Sequence, residues 1–141
     1  MKATELRIGN NYKDVDGSIY DVLTINANKI CGQCHDTEEP YDMDLIDCKP
    51  IDLTEEWLIR FKANKLMDGL FQLKISPLAG LTFFGLKKIS NYYQMEIYGI
   101  NPETEEEEKH SIVTVNAINY VHQLQNLVFT LTGEELKITD E

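Results

Sequence analysis

The stretch Cys31-Gly32-Gln33-Cys34-His35 holds the residue types and the spacing that could do chemistry. Two thiols two residues apart, followed by an imidazole, match the attachment pattern of c-type haem. That chemistry needs export and a helical pocket, and neither is signalled here. A zinc centre is the stronger form of the idea. Cys31, Cys34, His35 and Cys48 would supply three thiolates and an imidazole, a closed tetrahedral set. Against it, 13 residues separate Cys34 from Cys48, and His35 is a direct neighbour of Cys34. The plainer reading is three reduced cysteines, partly buried as small apolar side chains. A redox pair fits less well, because such pairs open a helix after a strand.

The other chemical candidates are sparser. His122 has Ile118, Asn119, Gln125 and Asn126 at helical spacing, so no nucleophile or carboxylate stands ready to orient it as a base. His110 follows an acidic run and reads as an ordinary loop or strand-edge residue. Asp14, Asp16 and Asp21 lack the spacing of a calcium loop, and Asp16-Gly17 is explained by hairpin chemistry. Neither Gly9 nor the stretch from Gly80 to Gly85 has the spacing of a phosphate loop. No catalytic set emerges, and the expectation is a protein that is not an enzyme.

The elements that must carry these residues can be read from periodicity. Ile118, Val121, Leu124, Val128 and Leu131 recur at spacings of three and four, with Tyr120, Leu127 and Phe129 widening the face. They predict a helix capped by Asn116 and stopped by Gly133. His122, Gln123, Gln125 and Asn126 fill its other face, and no Asp, Glu, Lys or Arg occurs from Ala117 to Thr132. An uncharged polar face of that kind is expected to touch a sheet edge or a partner. Upstream, Asp14-Val15-Asp16-Gly17 and Asn26-Ala27-Asn28 mark turns between short strands, which suggests a small bent sheet of SH3-like type. Tyr41, Met43 and Leu45 alternate with Asp42 and Asp44 as in a half-buried strand. Thr54 should cap a helix whose Trp57, Leu58 and Phe61 face the core and which frays by Asn64 and ends before Gly69. Strands are expected at Leu70 to Ile75, Leu81 to Ile89, Tyr92 to Ile100 and His110 to Val115, with turns at Pro77 to Gly80 and Ser90-Asn91. The fold class is therefore α+β: an N-terminal SH3-like sheet, a helix, an antiparallel sheet and a packed C-terminal helix. Residues 1–50 and 51–141 would be subdomains of one compact unit.

Charge adds a second constraint. The chain has 141 residues and a net charge of −11. Nine acids and one Lys fall between Asp36 and Glu56, and five acids fall between Glu103 and Glu108. Such a surface repels phosphate backbones, so direct nucleic-acid binding is disfavoured. Solubility explains acidity in general. The sharper reading is that the acids face a basic partner. No run approaches the ~20 apolar residues of a bilayer span, and Met1-Lys2-Ala3-Thr4-Glu5 lacks the apolar stretch of a secretion signal. A cytoplasmic setting is expected.

Three stretches carry a resemblance. They are Leu6-Arg7-Ile8-Gly9-Asn10, then Ile51-Asp52-Leu53-Thr54-Glu55-Glu56-Trp57-Leu58, then Tyr120-Val121-His122-Gln123-Leu124-Gln125-Asn126-Leu127 running on to Leu131-Thr132-Gly133-Glu134-Glu135-Leu136. In that order the chain resembles a family of small proteins of Bacteroides-type gut bacteria and of their phages and mobile elements. The resemblance implies a setting in phage or mobile DNA and transfers no catalytic residue. The cysteine cluster is not part of its pattern. Together these readings lead to a non-enzymatic, acidic protein-binding module acting on a host or virion protein. The candidate contact residues are Glu105, Glu106, Glu107, Glu108, His122, Gln123 and Asn126. The alternative is a small module stabilised by zinc at Cys31, Cys34, His35 and Cys48; no other cofactor is expected.

Overall fold

The computed structural model describes residues 5–75, 82–100 and 107–138. Its described residues form two antiparallel sheets, of four and five strands, and two α-helices, an α+β architecture that is mostly β. The chain divides into two units, Met1–Asp52 with Tyr120–Lys137, and Leu53–Asn119 with Ile138–Glu141. The last helix thus belongs with the first sheet, whereas the sequence placed it with the second.

The first unit holds β1 (Asn11–Lys13), β2 (Ile19–Ile25), β3 (Lys29–Cys34) and β4 (Pro40–Asp44), in that order across the sheet. The turn after β1 is built by Asp14. Its Oδ1 accepts from the backbone N–H groups of Asp16 and Ser18, both at 2.9 Å, and Gly17 takes the left-handed φ of +89° that closes the turn. Its Oδ2 accepts from the Tyr20 hydroxyl at 2.9 Å. Partial burial works against its charge, but these bonds outweigh it and hold the carboxyl below its usual range. That carboxylate is committed to the hairpin.

One face of the sheet makes the core of this unit: Leu6, Tyr12, Tyr20, Val22, Ile30, Cys34, Met43 and Cys48. The Tyr12 and Tyr20 rings stack at 5.3 Å. A Cβ on Gly32 would stand 1.9 Å from the Tyr12 hydroxyl oxygen, so only glycine admits that ring. Beyond β4, Leu45–Asp47 makes one turn of 3-10 helix. Tyr41 is more exposed than its alternation with Met43 suggested, because β4 is the last strand and little lies beyond it.

The outer edge of β1 is closed rather than open. Lys13 and Lys49 exchange backbone hydrogen bonds of 3.0 and 2.8 Å. Two residues earlier the Asn11 N–H donates to Gln125 Oε1 at 2.9 Å. Gln125 lies in α2 (Val121–Thr132), and its Nε2 donates to Asn11 Oδ1 at 2.8 Å and to the Leu136 carbonyl at 3.0 Å. The buried amide of Gln125 therefore substitutes for a missing strand. Arg7 forms a two-pronged ion pair with Glu135 and lies 4.0 Å over the Phe129 ring. It ties the Leu6-to-Asn10 stretch to the end of α2.

Several expectations for α2 need correction. Asn116 does not cap it; Asn116 and Ile118 lie in the preceding strand, where Ile118 pairs with Tyr93. The cap is Tyr120, whose N–H donates to Gln123 Oε1 at 3.1 Å. The buried face is Val121, His122, Leu124, Gln125 and Val128, while Phe129 and Leu131 are exposed. The stop at Gly133 is as the sequence implied, with φ +74° and its N–H donating to Phe129 O at 2.7 Å.

The second unit begins with α1 (Glu55–Arg60), where the Thr54 side chain accepts from Trp57 N at 3.5 Å and Trp57, Leu58 and Phe61 are buried. The helix stops at Lys62, which takes a left-handed φ of +66°. It is over before Asn64, within the bounds its sequence implied. Asn64–Met67 is β5, an edge strand held by Lys65, whose Nζ meets Glu55 at 2.7 Å and Asp68 at 3.1 Å. The sheet continues through β6 (Leu70–Ile75), β7 (Thr82–Ile89), β8 (Tyr92–Ile100) and β9 (Glu107–Ile118). Phe71, Leu73, Phe84, Leu86, Tyr93 and Met95 are its buried set. The β7–β8 hairpin turns through Ser90-Asn91, as its sequence implied. The turn expected at Pro77 to Gly80 lies outside the described residues.

Candidate interaction surface

The four proposed zinc ligands do not converge. Cys31 and Cys34 lie three apart on one strand, so they point to opposite faces. Cys34 and Cys48 are buried in the first core, and Cys31 is half-buried. Burial, with the nearby Asp47 and Asp44 carboxylates, pushes the Cys48 thiol up to about 11. Burial and the Asp42 carboxylate also raise the Cys31 thiol. Cys34 is shifted the other way, because the backbone N–H groups of Thr37 and Asp36 donate to its sulfur. His35 turns elsewhere, its Nε2 lying 2.9 Å from Asp21 Oδ1. Among the described residues no group of three or more His, Cys, Asp or Glu is placed to hold a metal ion. The knuckle-like spacing has another origin, since Gly32 is there to receive Tyr12.

The Asp21–His35 pair has the form of an oriented base, and among the described residues no hydrogen bond joins its imidazole to a hydroxyl or thiol. Asp21 Oδ1 also accepts from the Asn11 side chain, which links the pair to the Asn11–Gln125 edge cap. In the second unit a shallow depression of about 370 Å³ is lined by Met67, Gly69, Gly85, Lys87, Lys88 and Glu96. Lysines and carboxylates mix there.

The polar face of α2 is largely spent inside the chain. His122 is buried, stacks on Tyr120 at 5.8 Å, and has its pKa lowered by burial. Gln123 accepts from the Tyr120 N–H, and the Asn126 side chain donates to Glu5 O at 3.0 Å. The sequence left a choice between sheet edge and partner for this face; Gln125 meets the sheet edge. Of the acidic run, Glu105 and Glu106 lie outside the described residues. Glu107 and Glu108 open β9, where their backbones pair with Ile100 and Gly99.

The acids that stand together in the described structure are those of the β3–β4 hairpin and its flank. Asp36, Glu38, Glu39, Asp42, Asp44 and Asp47 are all exposed. From Ile30 to Cys48 there is no Lys or Arg. Of these six acids only Asp44 has a cation partner among the described residues, Lys29 at 4.0 Å. Two large apolar side chains are exposed within this acidic stretch, Tyr41 at 58% and Ile46 at 78%. The acid-rich composition from Asp36 was legible in the sequence. Tyr41 and Ile46 were not singled out, because an alternating strand pattern assigns Tyr41 to the interior. The signal available was the absence of any basic residue on either side of them.

Among the described residues no helix is long and apolar enough to cross a membrane. In comparisons with known proteins, no protein-family model matches the chain, and no curated protein or solved structure matches it significantly.

Proposed function

We propose that this protein is a non-enzymatic protein-binding module that docks on a basic partner through the acidic β3–β4 hairpin. The observation that carries this reading is the set of exposed carboxylates at Asp36, Glu38, Glu39, Asp42, Asp44 and Asp47, unrelieved by any Lys or Arg between Ile30 and Cys48. Like charges held at this density repel one another and destabilise the fold they sit on. A basic partner relieves that repulsion, speeds encounter and makes binding weaken with salt. Tyr41 and Ile46 supply the apolar contact that charge alone does not give. The Glu105–Glu108 run adds charge of the same sign. Gln123 and Asn126 keep only a supporting role, since both are hydrogen-bonded within the chain.

The reading extends to a cytoplasmic setting and a phage or mobile-element origin, with a host or virion protein as the target. It treats the four-stranded sheet as a small SH3-like scaffold. It needs neither catalysis nor metal. The test is titration with a lysine-rich peptide at several salt concentrations, comparing the native chain with the combined variant Glu38→Gln, Glu39→Gln, Asp42→Asn, Asp47→Asn. The native chain should bind with a steep salt dependence and the variant should bind weakly with a shallow one. Equal binding by both would refute the assignment of the surface.

A further inference from the structure

We infer that the free edge of β4 accepts an extended, basic segment of the partner as an added strand. This rests on the docking reading above and specifies the atoms that carry it. In the first sheet β1's outer edge is closed by Lys49 and Gln125, whereas β4 is terminal and, among the described residues, no strand pairs with its far side. The direction of its backbone groups follows from two bonds. Cys34 N–H donates to Glu39 O at 3.1 Å, and Leu45 N–H donates to Asn28 O at 2.9 Å. Residues 39 and 45 therefore turn toward β3, and alternation turns 41 and 43 the same way. Pro40, Asp42 and Asp44 turn their backbone groups outward. Pro40 offers only a carbonyl. The Asp44 carbonyl lies 3.6 Å from Cys48 Sγ. The Asp42 N–H and C=O, flanked by the Pro40 carbonyl and the Asp44 N–H, are the groups a new strand would meet.

Charge selects the occupant. A second copy of this chain would bring Asp42 and Asp44 against their own equivalents on a molecule of net charge −11. A segment rich in Lys or Arg places cations beside the same carboxylates. Main-chain pairing supplies affinity and the flanking acids supply selectivity, as in strand addition generally. Natural sheets shield open edges with charge and proline. Pro40 and the acids of this hairpin deter neutral or acidic strands and leave the edge open to basic ones.

The experiment uses the full chain and an alternating lysine–valine peptide. Amide hydrogen exchange is followed by NMR at Asp42 and Asp44, and affinity is measured for Asp42→Pro and Asp42→Asn. Asp42→Pro deletes the outward N–H at an edge position that tolerates proline, and far-UV circular dichroism checks its fold. The peptide should slow exchange at both amides. Asp42→Pro should lose affinity by about tenfold or more, and Asp42→Asn, which keeps the N–H, by only about two- to threefold. Peptide binding without protection of either amide, or undiminished in Asp42→Pro, overturns strand addition while leaving the acidic docking surface standing. Failure of the peptide to bind at low salt overturns both.

Discussion

Gly32 and Tyr12 show how a residue that reads as chemistry can serve packing. The glycine sits between two cysteines, yet its role is to leave room for a phenol ring. Gly32→Ala should cost about 1–3 kcal/mol through overpacking, measured by denaturant unfolding. Tyr12 Oη is buried without a hydrogen-bond partner among the described residues. Removing it leaves no new orphan, so Tyr12→Phe should be neutral or stabilising by about 1 kcal/mol. It should also recover part of the Gly32→Ala loss. His122 gives a pH prediction. Burial lowers its folded pKa below the unfolded value, so the unfolded chain takes up the proton first. Its contribution to stability is full above the unfolded pKa of about 6.5 and is lost as pH falls toward the folded pKa. Between pH 7.5 and 5, the melting temperature of the native chain should fall more steeply than that of His122→Phe. Equal slopes would show that His122 is not the group responsible.

At the scale of elements, α2 was legible in existence and in its stop at Gly133, but not in its start or its inward face. Hydropathy ranks Gln125 and His122 as solvent-facing, and their burial depends on Asn11 and Tyr120, which the local sequence of the helix cannot show. Gln125→Ala should cost about 1–3 kcal/mol, because it leaves the buried Asn11 N–H without a partner. Native-state hydrogen exchange should then accelerate at Asn11 in particular. The short hairpins were legible because their turns carry local chemistry: Asp14 to Gly17 and Ser90-Asn91. By contrast β5, with Lys65, Leu66 and Met67, is made of good helix formers, and its pairing with β6 overrides that preference. The Thr54 cap and the end of α1 before Asn64 were legible from the same kind of local signal.

Across the whole molecule, charge is the property most informative about function. The sequence marked two acid-rich regions and put its acidic contact candidates on the second, at Glu105 to Glu108. The β3–β4 hairpin stands out because it holds its acids on an open edge and exposes Tyr41 and Ile46 beside them. The polar face of α2 offers less to a partner, because its amides are engaged inside the chain. These two outcomes share a cause: the four-stranded sheet has two edges, and α2 closes one of them. The most direct measurement of the central claim is an NMR titration of the full chain with a lysine-rich peptide, with perturbed amides mapped along the sequence. Perturbations concentrated between Asp36 and Asp47 are the predicted result; perturbations centred on α2 or on the β5–β6 hairpin, with residues 36–47 unmoved, would contradict it.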